Sequence, residues 1–283
     1  MSSKFRPALT NTGLDPTAAV TAVDEYQNVR EMRIADERPL TIYLDRYEIV
    51  TLMTLGNYPE LLTLGYIKNQ GLISEISEIK SVQVDWDVNA AAVTTFSEND
   101  AWKGNLGPRI ITTGCGQGTV YGNVLEQLRN IRLQSPKIRQ STIYQLLKNL
   151  NDFNDVYKSA GAVHGCALCD DAEIICFIED VGRHNAVDAI AGKMWLDDIP
   201  GCDKLFYTTG RLTSEMVIKV AQMGIPALLS RSGITQMGLK LAQDLGVTLF
   251  SRAKGRHFLI YHGRENVEFD VRLPAPIAAV SRE

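Results

Sequence analysis

The 283-residue chain contains no apolar run approaching the ~20 residues that a membrane-spanning helix requires. It also has no excess of basic charge. With 29 Lys and Arg against 33 Asp and Glu the formal net charge is -4, which gives no global attraction to nucleic acid or to an anionic membrane surface. Any phosphate binding must therefore be local. The opening residues, Met1-Ser2-Ser3-Lys4-Phe5-Arg6-Pro7, lack the apolar core of a secretory signal, so a cytoplasmic location is expected. Cysteine is sparse and odd in number: Cys115, Cys166, Cys169, Cys176 and Cys202 argue against a disulfide framework and for reduced thiols. Internal repeats and low-complexity segments are missing too. What remains is ordinary globular composition, 45% hydrophobic and 22% charged, enough for one large domain or two smaller ones.

Taken in order, residues 1–36 are polar without a sustained period and are expected to form a loosely packed, flexible arm. Residues 37–132 read as a β-rich, mostly antiparallel part. A hairpin is predicted from Pro39–Leu44 and Glu48–Met53, a helix begins at Pro59, and strands follow at Ile79–Val88 and Ala90–Phe96. Residues 133–160 are a connector and a helix starting near Ser141. Residues 161–283 alternate apolar runs with amphipathic ones. Strands are predicted at Ala162–Leu168, Ile174–Ile178, Leu205–Thr208, Ala227–Leu229, Val247–Phe250 and Phe258–Tyr261, with helices over 183–195, 213–223 and 235–245. This is the pattern of an α/β layer architecture, in which ligands sit near strand C-termini.

One stretch stands out chemically. Ile110-Ile111-Thr112-Thr113-Gly114-Cys115-Gly116-Gln117-Gly118 is a β-prone run opening into a glycine loop, followed by helical spacing to about residue 132. Glycines leave the sulfur approachable, and a helix N-terminus favours thiolate, the nucleophilic form. Two readings of Cys115 stand open from the residues alone: a reactive thiol, or a tight turn with an incidental cysteine.

Four polar clusters fall at predicted strand ends. They are Glu179-Asp180-Val181-Gly182-Arg183-His184-Asn185, Thr208-Thr209-Gly210-Arg211-Leu212-Thr213-Ser214-Glu215, Ser230-Arg231-Ser232-Gly233 and Ser251-Arg252-Ala253-Lys254-Gly255-Arg256-His257. Each alone reads as a capped turn. In register after successive strands they point to a binding crevice, and the last one gathers donors suited to phosphate or pyrophosphate, with Arg211 and Arg231 on neighbouring strand ends.

Several chemistries fit poorly. Gly116-Gln117-Gly118 lacks the dinucleotide-binding spacing, and Pro136-Lys137 stands where an acidic ribose partner belongs. His164 with Cys166 and Cys169 suggests a zinc deaminase, but the glutamate and proline of that signature are absent and no second ligand pair is spaced for zinc. No metal site is expected, and core packing accounts for Cys166 and Cys176.

The runs Ala160-Gly161-Ala162-Val163-His164, Glu179 to Asp188, Thr209 to Val217 and Gly224 to Ser232 resemble the FdhD family of formate dehydrogenase accessory sulfurtransferases, over about residues 38–262. The resemblance implies a mixed-sheet fold similar to cytidine deaminase without its zinc chemistry, and a homodimer. It implies that a cysteine desulfurase hands sulfur to Cys115 as a persulfide. That sulfur then passes to the molybdenum of bis(molybdopterin guanine dinucleotide), the cofactor of formate dehydrogenase. It implies that Arg252, Ala253, Lys254, Gly255, Arg256 and His257 form the cofactor-binding loop, with Arg183, His184, Arg211 and Arg231 as further contributors. One departure matters: the family loop commonly carries a second cysteine, and Gly118 stands in its place. The alternative role is then a non-catalytic chaperone that binds the cofactor for formate dehydrogenase.

Overall fold

The computed structural model describes residues 5–97 and 131–272. Cys115, its glycine loop and the helix expected to follow as far as residue 130 lie outside these. Ile131 and Arg132, expected as the last turn of that helix, are not helical, and Leu133 N donates instead to Leu245 O at 2.9 Å.

The first part is built on a five-stranded sheet. β1 (Ala8–Leu9), β4 (Arg38–Leu44), β5 (Tyr47–Thr54), β6 (Ile79–Asp85) and β7 (Ala90–Thr95) lie in the order β1-β6-β7-β4-β5. Leu40, Ile42 and Leu44 alternate into the core at zero exposure, the period of two that fixes the face of a strand. Asp45 in the left-handed region turns the β4–β5 hairpin. The sheet is mixed, not mostly antiparallel, because β1 pairs parallel with β6 and β4 parallel with β7. Strand spacing alone carries no information on such non-local pairings.

Residues 17–35, expected within a loose arm, are instead an antiparallel ribbon of β2 (Thr17–Val23) and β3 (Val29–Ala35), paired from Thr17↔Ala35 to Val23↔Val29. Its apolar side chains are small or largely exposed, so no buried-face signal reached the sequence pattern; Val23, Val29, Met32 and Ile34 are all exposed.

The second part carries a six-stranded sheet in the order β10-β9-β11-β12-β13-β14: β9 (His164–Asp170), β10 (Glu173–Asp180), β11 (Leu205–Thr208), β12 (Ala227–Ser230), β13 (Thr248–Lys254) and β14 (His257–His262). β11, β12 and β13 run parallel; β9, β10 and β14 complete the sheet by antiparallel pairing. β11 and β12 are buried along their whole length, as strands covered on both faces must be. Leu168, Phe206, Leu228 and Leu249 face one core, while Ala167, Tyr207, Leu229 and Phe250 face the other. The second core is closed by α2 (Gln140–Asn149), whose Ile143, Leu146 and Leu147 are buried. The connector is tied down here as well. Its β8 (Ile138–Arg139) pairs with β15 (Val267–Glu268), and the Asp270 carboxylate accepts from Ser141 N and Oγ.

α1 (Pro59–Asn69) of the first part packs on α4 (Arg183–Asp197) of the second, with α5 (Ser214–Gln222) and α6 (Gln236–Leu245) beside it, over one continuous core. Two helices approach this closely because Gly65 and Gly192 lack side chains where they meet. The junction also holds a buried ion pair, Lys219 Nζ to Asp188 Oδ2 at 2.8 Å, with Asn69 Nδ2 donating to Asp188 Oδ1 at 2.7 Å. A buried pair of this kind is tolerated only when its remaining hydrogen-bonding capacity is met, and Asn69 meets part of it.

Candidate functional site

The pairing directions bring the C-terminal ends of β10, β11, β12 and β13 to one edge of the second sheet, with the start of β9 among them. All four polar clusters therefore meet. Their loops are laced by hydrogen bonds: Ser230 Oγ to Gly210 O at 2.7 Å, Arg231 N to Thr208 O at 3.1 Å, and Arg252 N to Ser232 O at 3.0 Å. This lacing places Arg211 and Arg231, on the loops after β11 and β12, beside Arg252 near the end of β13, each strand ~4.8 Å from the next. All three are exposed, and among the described residues neither they nor Lys254 form an ion pair. A row of exposed guanidinium groups without carboxylate partners is a surface prepared for an anion.

The predicted Arg252–His257 loop is partly strand. β13 continues to Lys254, and the chain turns at Gly255 (φ 60°) and Arg256 before β14 starts at His257. The register slips between Ser251 and Lys254, and Arg252 takes a left-handed φ of 53°. A bulge re-aims a side chain, and the conformation costs a non-glycine residue ~1–3 kcal/mol that the lacing to Ser232 offsets. Ala253 is buried in the second core, so its side chain supports the loop. Arg256 stacks its guanidinium 5.7 Å over the Tyr144 ring of α2, on the flank of the edge, and His257 is exposed beside it.

Next to the arginine row lies a cavity of about 360 Å³ lined by Asn154, Tyr157, His164, Thr209, Arg231 and Ser232. Burial, with Arg183 and Arg211 nearby, pushes the His164 imidazole below its ordinary range, so it is neutral at pH 7. Gly165 N donates to Thr209 Oγ1 at 3.0 Å and Thr209 N to Gly165 O at 2.9 Å, which fixes the cavity floor. Asn154, which precedes a short helix, α3 (Asp155–Ala160), and Tyr157 within it were not singled out from sequence. Its one local signal is Asn154 itself, which precedes the helix at φ 69°, a conformation asparagine tolerates better than most residues.

Other predicted residues lie below this surface. Arg183 is buried with its aliphatic stem against Gly210, where a β-carbon would stand 2.9 Å from Arg183 Cδ. Among the described residues its Nε has no hydrogen-bond partner. His184 is buried with Nε2 3.2 Å from Glu215 Oε2, out of hydrogen-bond line, and does not reach the cavity. Burial above all, then Lys219, Arg183 and His164, pushes its pKa down to about 2. Asp180 ties the edge to the first part by accepting from Thr54 Oγ1 at 2.6 Å, Asn185 Nδ2 at 2.8 Å and Gly182 N at 2.9 Å. Burial raises its pKa, and these hydrogen bonds oppose the rise.

Cys166 is fully buried, its thiol facing Thr208 Oγ1 at 3.3 Å, and desolvation pushes it up to about 12. Cys166 and Cys169 point to opposite sheet faces, one into each core, because three residues along a strand invert the side chain. They cannot share a metal ion. The described residues contain no cluster of three or more His, Cys, Asp or Glu placed to hold one.

The family model for FdhD/NarQ matches residues 35–268. A relative from Listeria monocytogenes serotype 4b, named sulfur carrier protein FdhD, is 32% identical over 243 residues, 84% of this chain and 92% of its own. A relative of the same name from Bacillus subtilis is 28% identical over 258 residues, 89% and 98% of the two chains. The crystal structure of a formate dehydrogenase accessory protein from Desulfotalea psychrophila superposes with a TM-score of 0.71 at 25% identity, over 89% of this chain and 98% of that one.

Proposed function

The chain belongs to the FdhD/NarQ family, and from that premise we propose that it is a sulfur carrier serving formate dehydrogenase through the molybdenum cofactor. On this reading the Cys115 thiolate attacks the outer sulfur of a cysteine desulfurase persulfide. A new sulfur–sulfur bond forms as the donor's breaks, and the donor leaves as a thiolate, with no net oxidation. Cys115 then carries a persulfide; its sulfur–sulfur bond breaks as the outer sulfur passes to molybdenum in bis(molybdopterin guanine dinucleotide), held as cargo, with Cys115 leaving as thiolate and the reduced metal of the cargo supplying the two electrons that make that sulfur sulfide. The reading also takes the second part as a cytidine-deaminase-like layer, the protein as a cytoplasmic homodimer and formate dehydrogenase as its partner.

The observation that carries it is the row Arg211, Arg231 and Arg252 beside a cavity, on the edge where α/β folds bind ligands. Cargo of this kind carries pyrophosphates, and exposed arginines without acidic partners suit them. Lys254, Arg256 and His257 extend the row, while the buried Arg183 supplies charge from beneath. His184 acts through the packing of α4 and α5 and touches no ligand in this arrangement. A second reading, a cofactor chaperone without sulfur transfer, is favoured by Gly118 at the second cysteine position.

Intact-protein mass spectrometry decides between the two. The chain and its Cys115→Ala variant are incubated with cysteine and an active desulfurase under non-reducing conditions. The carrier reading requires a reductant-labile gain of one sulfur that vanishes in the variant. No gain in the parent leaves the chaperone.

A further inference from the structure

Two further cavities adjoin where residues 9–16 cross the start of α1. The first, about 510 Å³, is lined by Arg6, Leu9, Tyr58, Glu60, Leu61 and Leu196. The second, about 410 Å³, is lined by Leu14, Pro16, Phe153, Val156, Phe177 and Glu179. Gly13, Asn57 and Tyr58 border both, so the two form one groove with the exposed Tyr58 at their junction. Asn154 borders the second cavity and also the 360 Å³ cavity of the arginine edge.

The first cavity offers a carboxylate. Glu60 is only 6% exposed, and its Oε1 is saturated, accepting from Thr10 Oγ1 at 2.8 Å, Thr12 N at 2.9 Å and Thr12 Oγ1 at 3.2 Å. Among the described residues Oε2 accepts from none, and it is not sealed from solvent, so the accessible part of Glu60 is carboxylate opening on the cavity. Arg6, the one cation on this lining, is turned to Asp197, which Lys193 also pairs. A largely buried carboxylate with an oxygen to spare suits a cationic donor. The second cavity is an apolar seat instead. Its Phe153 and Phe177 rings meet at 5.4 Å, both oxygens of Glu179 are taken by Val156 N at 2.9 Å and Tyr157 N at 3.0 Å, and Asp155 on its border pairs with Lys158 at 3.6 Å. The walls are already formed. Leu14 N donates to Gly56 O at 2.8 Å and Trp86 Nε1 to Thr12 O at 2.7 Å, while α3 packs on β3 of the ribbon as well as hanging from Glu179. A groove held in this way binds at little ordering cost.

We propose that this groove docks an extended segment of a partner protein, with an arginine or lysine entering the Glu60 cavity and an apolar side chain two residues away entering the Phe153–Phe177 cavity. Charge selects the first position and shape the second. Side chains two apart in an extended chain point the same way, ~7 Å from each other, a separation suited to cavities that share a border. The inference does not need the sulfur-carrier reading. On that reading, Asn154 joins the groove to the arginine edge, and a partner seated in it lies beside the cargo.

The test titrates the full chain with acetyl-Arg-Ala-Phe-amide and acetyl-Phe-Ala-Arg-amide, which cover both chain directions, and follows the amide resonances of Thr12 and Val156. At least one peptide is expected to shift both amides, and the same peptide with glutamate in place of arginine to shift neither. Glu60→Gln keeps an oxygen for Thr10 and Thr12 but replaces the free carboxylate oxygen by an amide nitrogen. The arginine peptide should bind it about tenfold more weakly, equivalent to ~1.4 kcal/mol. Phe153→Ala should remove the preference for phenylalanine over alanine in the peptide and leave the preference for arginine. Failure of both peptides to shift the parent, equal binding of the glutamate peptide, or unchanged affinity in Glu60→Gln overturns the inference. Shifts of the same amides on dilution of the chain without peptide assign the groove to a second copy and overturn it too. Persulfide formation on Cys115 is read separately, so either reading can fail without the other.

Discussion

Gly65 and Gly192 meet backbone to backbone where α1 crosses α4: a β-carbon on Gly192 would stand 2.9 Å from Gly65 N and 2.0 Å from Leu61 O. A β-carbon on Gly65 would fall 1.7 Å from Asp188 O. The first sheet thus reaches the second through two residues that have nothing to remove.

Gly65→Ala is therefore expected to destabilise the whole chain, since the obstacle is backbone and cannot rotate away. Overpacking of this kind costs about 3 kcal/mol, the upper end of its usual range, because α1 and α4 must separate. Urea denaturation gives the number. Gly71, where a β-carbon meets nothing within 4 Å but φ is 65°, provides a comparison in which backbone conformation acts without a collision.

Cys166 should be chemically silent in the folded protein. With its pKa near 12, its thiolate fraction at pH 7 is on the order of one part in 100,000, and no surface is open to a reagent. Alkylation of the native chain, followed by unfolding and a second label, should place the second label on Cys166 and Cys169. First-label incorporation at Cys166 would return it as a relay thiol.

His184 makes stability pH-dependent. Its pKa falls from the ordinary 6.5 to about 2, so in that interval the unfolded chain binds a proton that the folded chain refuses. Its contribution is fully present above pH ~6.5 and is lost as pH falls, by up to about 1.4 kcal/mol per unit. His164, lowered by burial, Arg183 and Arg211, acts in the same direction. Asp180 and Glu179, raised by burial, act oppositely: their share is present at low pH and lost as pH rises through their folded values. His184→Gln should lose less stability than the parent between pH 6.5 and 5 in urea titrations, and an equal loss would assign the effect elsewhere.

Arg252→Ala combined with Arg256→Ala should weaken GDP binding by ~10-fold or more, given about 1.5–3 kcal/mol for a charge-assisted hydrogen bond, and leave Cys115 persulfide formation intact. Calorimetry reads the first and mass spectrometry the second. Unchanged affinity would remove the anion-site assignment.

The second part was legible in the sequence because its signals are local. β11 and β12 are short apolar runs closed by Thr208 and Ser230, and α5 and α6 carry helical periods bounded by threonine and glycine. The ribbon of β2 and β3 was not, since a strand with nearly every residue exposed leaves no hydrophobic alternation to detect. The parallel pairings β1–β6 and β4–β7 depend on contacts between distant residues, which no window of sequence contains.

The site divides the same way. Residue chemistry alone marked the arginines at strand ends, because arginine and glycine after an apolar run have few structural uses in common. Only the tertiary structure decided which of them face solvent together. Pairing direction put Arg211, Arg231 and Arg252 on one edge, burial withdrew His184 and Ala253, and a clamp from Glu179 on β10 carried Asn154 and Tyr157 to the cavity from outside the predicted clusters. A sequence states which groups exist and how each segment prefers to fold; which groups meet is settled when strands choose neighbours and a core decides what it can cover.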